Sequence, residues 1–203
     1  MERQHRPLVL VHGLWNSSDV FLPLVNLLRK YDFPVFCPNL PHSLGQVPIP
    51  DLAYSLNKQI NQQFGSKSPI DILGFSMGGL VTRYWLQKFE GARRTRRFFS
   101  VGCPHRGTFL AQCVPASLFA GIADMKRGSP LLNELNKDLS LISYLKLKSF
   151  FCYWDLMVIP GWQAALPIGP KKFICVLSHR GLVSHPTGIK TLLKEILIDD
   201  CLD

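Results

Sequence analysis

The sequence predicts a three-layer α/β/α sandwich around a mostly parallel sheet of about six strands, with residues 1–203 forming a single domain. Three observations carry this expectation. Short, continuously apolar runs recur along the chain, as strands covered on both faces require. Between them apolar residues fall three and four apart, the spacing of helices with one buried side. Finally, the 203 residues are 47% hydrophobic and 18% charged, which suits one core and excludes a disordered chain.

Taken in order, Leu8-Val9-Leu10-Val11 is the first strand. Phe21, Leu24, Val25 and Leu28 place a helix over 20–31, and Pro34-Val35-Phe36-Cys37 follows as a second strand. Leu52, Leu56, Ile60 and Phe64 lie four apart and predict a helix over 51–64. A third strand at 69–74 leads into a helix at 77–89, and 98–101 makes a fourth strand. Strands five and six are expected at 149–153 and 173–177, with a closing helix at 188–197. The long interval between the fourth and fifth strands reads as two helices, 109–124 and 130–138. This 108–139 segment is either a small cap or a cover for the sheet.

The balance of 23 Lys and Arg against 14 Asp and Glu gives a net charge of +9. Such a surplus favours anionic partners without specifying a fold. Its clusters, Arg93, Arg94, Arg96 and Arg97 and then Lys146, Lys148, Lys171 and Lys172, are read as a solvated basic face. They accompany no nucleic-acid-binding pattern, so no nucleic acid is expected as a partner, whereas peripheral contact with an anionic membrane surface is. The six cysteines, Cys37, Cys103, Cys113, Cys152, Cys175 and Cys201, form no CxxC pair and point to no metal site. Cys37, Cys152 and Cys175 border strand-like runs, where a thiol acts as a small hydrophobe. Met1-Glu2-Arg3-Gln4-His5 opens no apolar leader, and the greasiest stretch, 149–169, is broken by Asp155, Pro160 and Pro167. A cytoplasmic location is therefore expected. The oligomeric state is not legible.

The third strand runs into Gly74-Phe75-Ser76-Met77-Gly78-Gly79, a match to G-x-S-x-G. Chance supplies about 0.07 such matches in a chain of this length, so context decides. A strand before and a helix after are what the motif's mechanics demand, because a tight turn must lift the serine oxygen above the sheet. The helix starting at Met77 aims its positive end at the serine. A serine nucleophile needs a base, an orienting acid and an oxyanion hole. The hole should combine the backbone N–H of Met77 with one from the loop Val11-His12-Gly13-Leu14-Trp15, where Leu14 is the choice. His12 is read as bracing that loop.

Together, the HG-L-W string, the G-F-S-M-G-G-L string and the order of serine before base resemble the α/β-hydrolase superfamily. More narrowly they are similar to small bacterial triacylglycerol lipases and esterases with a reduced sheet and minimal or no lid. Gly102-Cys103-Pro104-His105-Arg106-Gly107-Thr108 is similar to the G-x-P-x-x-G-T segment of such lipases, and 128–136 resembles another recurring segment. The resemblance implies an acid after Ser76 and then a histidine. Asp155 ends the fifth strand run, and Leu156-Met157-Val158-Ile159-Pro160 resembles the D-x-x-V-x-P turn of related hydrolases. Asp124 and Asp138 are distant second choices. Leu177-Ser178-His179-Arg180-Gly181-Leu182 resembles the family's G-H-x-G-L-L pattern, which makes His179 the base and His185 the second choice.

The reaction so implied is cleavage of carboxylic esters through an acyl-enzyme on Ser76, with no cofactor. Trp15, Trp154, Leu156 and Met157, with Phe21 and Trp162 near them, are expected to form an apolar pocket for an ester or lipid substrate. A thioesterase, an acyltransferase and a catalytically silent binding protein remain open alternatives.

Overall fold

The structure, a computed structural model, describes residues 5–198. Cys201 and the first four residues of the expected leaderless start lie outside the described residues. Six strands form one sheet: β1 Leu8–Val11, β2 Val35–Phe36, β3 Ile70–Phe75, β4 Thr95–Val101, β5 Lys146–Phe151 and β6 Lys171–Phe173. Their spatial order is β2-β1-β3-β4-β5-β6, and every pairing is parallel. From β1 the chain steps outward to β2 and then crosses back to β3, so the winding reverses between β1 and β3. In open parallel sheets the crevice at the carboxyl ends of such a strand pair is where ligands bind.

The helices are α1 Leu22–Leu28, α2 Ile49–Phe64, α3 Met77–Lys88, α4 Ala120–Ala123, α5 Pro130–Lys137, α6 Ser140–Ser143, α7 Gly181–Ser184 and α8 Pro186–Ile198. Alternation along the strands divides the core between the two sheet faces. Val9, Val11, Ile70 and Ile72 pack with α2, α3 and α5. Leu8, Leu10, Leu73 and Phe75 pack with α1, α7 and α8.

Four expectations need correction. Strand β4 starts at Thr95 and β5 at Lys146, each three residues before the apolar run, and β6 is Lys171–Phe173, so that of the expected 173–177 only Phe173 is strand. In each case charged side chains at the strand start are carried by partners. The arginine cluster is consequently no solvated face: Arg97 is wholly buried and Arg96 nearly so, both bonded to the buried carboxylate of Asp71, while Arg93 alone is well exposed. Lys148 and Lys172 both pair with Glu195 of α8. The helix expected over 109–124 is broken, because Pro115 removes a donor at its centre. A 3-10 turn at Leu110–Cys113 and the short α4 replace it. Finally, Cys175 is exposed and so packs no core.

Candidate active site

Ser76 stands between β3 and α3 with φ 56° and ψ −130°, a backbone conformation that a side chain rarely adopts. Its N–H donates to the Val101 carbonyl at 2.9 Å, which fixes the turn to the neighbouring strand. Two glycines make the turn feasible by close approach. A Cβ on Gly13 would lie 2.6 Å from the Ser76 Cβ, and one on Gly78 would lie 2.3 Å from the His12 carbonyl oxygen. The loop after β1 is therefore pressed against the serine. Met77 opens α3, where the first backbone N–H groups have no partner within the helix.

The β1 loop is held from beneath. The buried His12 accepts the Leu40 N–H on Nε2 at 3.0 Å, and its Nδ1 lies 3.0 Å from the Gly13 carbonyl. Burial lowers its pKa, which keeps the ring neutral and able to accept. Asn16 Nδ2 donates to the Leu14 carbonyl at 2.8 Å, so that carbonyl is turned toward Asn16.

The structure brings Asp155 and His179 together. Asp155 is 2% exposed; its Oδ1 accepts the Met157 and Val158 N–H groups, each at 2.9 Å. Its Oδ2 lies 2.7 Å from His179 Nδ1. Because a carboxylate only accepts, the proton of a neutral His179 sits on Nδ1, and Nε2 carries a lone pair. That Nε2 is buried and has no hydrogen-bond partner among the described residues. Nearby, burial and then the Asp155 charge push the Cys152 thiol up to about 12, so it stays protonated.

Ser76 and His179 line one cavity of about 580 Å³, within the usual range for small-molecule sites. Trp15 and Met157 line it as expected. Trp154 and Leu156 do not: they are 68% and 73% exposed, because the turn that directs Asp155 inward points its two chain neighbours outward. Phe21 belongs to the core under α1, and Trp162 is at the surface. The wall comes instead from Leu110, Ala111, Val114, Ile122 and Met125. Their signal in the sequence was the G-x-P-x-x-G-T segment, which delivers the chain after β4 to this end of the sheet.

That wall is tied to the body. The Thr108 hydroxyl donates to the Met157 carbonyl, and Arg127 Nη2 donates to the Ile159 carbonyl at 2.7 Å and to Gln163 Oε1 at 3.0 Å. Asp124 accepts the Ile49 N–H at 2.8 Å at the start of α2. Asp138 bonds to Ser140. Neither carboxylate meets His179. His185 is exposed and accepts the Thr187 N–H at 3.2 Å on Nδ1, as a cap on α8.

With this geometry in hand, residues 6–141 match the family described as alpha/beta hydrolase fold. The chain belongs to the α/β-hydrolase family. No curated protein matched it. Among solved structures it is similar to Aspergillus fumigatus lipase B, at 17% identity and a TM-score of 0.77, over 97% of this chain and 53% of that one. The chain thus spans about half the length of that lipase. It is likewise similar to the mature Bacillus licheniformis lipase BlEst2, at 14% identity and a TM-score of 0.74, covering 96% and 93% of the two chains. A metagenomic carboxyl esterase, MGS0156, matches at 16% identity and a TM-score of 0.77, over 100% of this chain and 77% of its own. At such identities these likenesses speak for the fold, which hosts many chemistries. Among the described residues no helix is long and apolar enough to cross a membrane.

Proposed function

We propose that this α/β-hydrolase cleaves carboxylic esters of apolar, lipid-like acyl groups through an acyl-enzyme on Ser76. One observation carries the reading. His179 is bonded through Nδ1 to a buried carboxylate, and its opposite nitrogen is buried without a partner at the cavity that Ser76 lines. A neutral imidazole in that tautomer is a base in waiting.

In the reaction Ser76 Oγ attacks the ester carbonyl carbon while His179 Nε2 takes its proton. The backbone N–H groups of Leu14 and Met77 hold the oxyanion, each worth about 3–4 kcal/mol in the transition state. Collapse expels the alcohol, which receives the proton from Nε2. Water then attacks the acyl-serine by the same route and restores Ser76. Asp155 holds the imidazole in its useful tautomer and stabilises its charged form.

The substrate class follows from the cavity wall, which is mostly aliphatic, and from its mouth. Trp15 and Leu110 line the cavity yet are 59% and 48% exposed, so apolar side chains face solvent where substrate enters. With the surplus of positive charge, this mouth suits esters drawn from an anionic lipid surface.

The test is hydrolysis of p-nitrophenyl esters across acyl lengths. Ser76→Ala should lower kcat by about 10⁶-fold and abolish labelling by a serine-directed phosphonate. A Ser76→Ala protein as active as the parent overturns the reading.

A further inference from the structure

At the far end of the sheet from Ser76 lies a second cavity of about 530 Å³, between α2, α3 and the turn Gly91–Arg94 that precedes β4. Its polar lining includes Asn57, Asn61, Lys67, Glu90, Arg93 and Arg94. The proposed ester chemistry uses none of them.

The direction of the hydrogen bonds here is fixed by what each group is able to do. Trp85 Nε1 is donor only, so the Asn57 atom 3.0 Å from it is the acceptor Oδ1. Arg94 Nη1 is also donor only, so the Asn61 atom at 2.9 Å is Oδ1, which leaves Asn61 Nδ2 to donate to Asn57 Oδ1 at 3.5 Å. Arg94 Nε donates to the Ser68 carbonyl at 2.9 Å. Both carboxamide oxygens are thus consumed by protein donors. What remains unpaired within the protein is donors: among the described residues the half-buried Asn57 Nδ2 makes no hydrogen bond, and the buried Arg94 Nη2 has no partner.

Charge points the same way. Three cations line the cavity against one carboxylate, Glu90, which lies 3.2 Å from Arg93. Arg94 has no carboxylate partner among the described residues, and burial lowers its pKa. A guanidinium whose N–H₂ is buried without an acceptor is costly until an acceptor with negative charge meets it. A phosphate oxygen is a strong, charged acceptor for such a guanidinium N–H.

We propose that this cavity is a binding site for a phosphate-type oxyanion, with Arg94 Nη2 and Asn57 Nδ2 as its fixed donors and Lys67 as a mobile third. The phosphate would come from a small soluble phosphomonoester or from a lipid headgroup. The location favours the soluble source, because the apolar mouth that faces lipid is at the opposite end of the sheet.

The experiment compares melting in sodium phosphate with melting in sodium chloride at matched ionic strength, for the parent, Asn57→Asp and Arg94→Met. Asn57→Asp keeps the acceptor for Trp85 but turns the cavity-facing donor into an anionic oxygen. It should retain ester turnover, which shows that it folds. A phosphate-specific rise in the parent that both variants lose, with affinity weakened by about tenfold or more, supports the site. An equal rise in Asn57→Asp, or no rise in the parent, overturns it. Co-sedimentation with phosphatidate and phosphatidylcholine vesicles separates the sources. Phosphatidate-specific pelleting that Asn57→Asp loses assigns the headgroup, and equal pelleting of parent and variant, beside the melting shift, assigns the soluble phosphate.

Discussion

Asp71 and Asp155 are both buried carboxylates, and they sit at opposite ends of the same sheet. Asp71, on β3, is 0% exposed and accepts from the Arg97 backbone N–H at 3.1 Å and from the guanidinium groups of Arg96 and Arg97. Arg97 then reaches the Ile196 carbonyl at 2.8 Å, which joins the sheet to α8. Asp155 is also satisfied, by two backbone N–H groups and His179, but its chain of bonds ends on an imidazole nitrogen with no partner among the described residues. The Asp71 network of buried charge joins strands and helix, whereas the chain of bonds from Asp155 ends on an unspent lone pair.

The contrast makes its largest claim on turnover. Asp155→Asn, whose amide faces Nδ1 with donors, should reverse the tautomer of His179 and lower kcat on p-nitrophenyl esters by about 10⁴-fold. His179→Ala should fall at least as far, and circular dichroism should show both variants folded. Asp71→Asn should do the reverse. Removing the buried charge that both Arg96 and Arg97 meet should cost about 3–5 kcal/mol in urea denaturation, while kcat per folded molecule stays near the parent value. If Asp71→Asn lost turnover without losing stability, the distinction between the two sites would fail.

A smaller effect follows from buried histidines. Burial lowers the pKa of His12 and of His105, the latter well below its ordinary value and further depressed by Arg83. Below pH of about 6.5 the unfolded chain takes up protons that the folded chain refuses. Their contribution to stability is thus complete above that pH and is lost as pH falls toward the folded-state values. Melting followed from pH 8 to pH 5 should decline on the acid side, and His12→Asn should flatten part of the decline. The smallest effect belongs to His185→Ala, which removes one cap bond, costs about 1 kcal/mol or less, and leaves turnover unchanged.

The strand-turn-helix around Ser76 was legible because its chemistry is local: an apolar run, small residues at fixed offsets, then a helical period. Asp155 and His179 were legible by their places at strand ends and by resemblance to the family. Asp71, by contrast, reads in the sequence as one polar residue in an apolar strand, and its partners Arg96 and Arg97 read as surface. Only the pairing of β3 with β4 brings them side by side, and no local pattern encodes that pairing. The cavity wall was hidden for a related reason. Residues 109–124 have helical spacing, but Pro115 divides them, and the pieces turn Leu110, Ala111 and Ile122 toward the serine. Trp154 and Leu156 were misjudged because proximity to Asp155 in the chain means opposite direction in a turn that buries it.

The bonds from Thr108 and Arg127 to the 157–163 stretch have a kinetic consequence. A wall tied at Thr108 and Arg127 to the 157–163 stretch should need no oil–water boundary to open it. Initial rate plotted against the concentration of a sparingly soluble ester should therefore pass through the solubility limit as one smooth saturation curve, with no upward break where droplets first form.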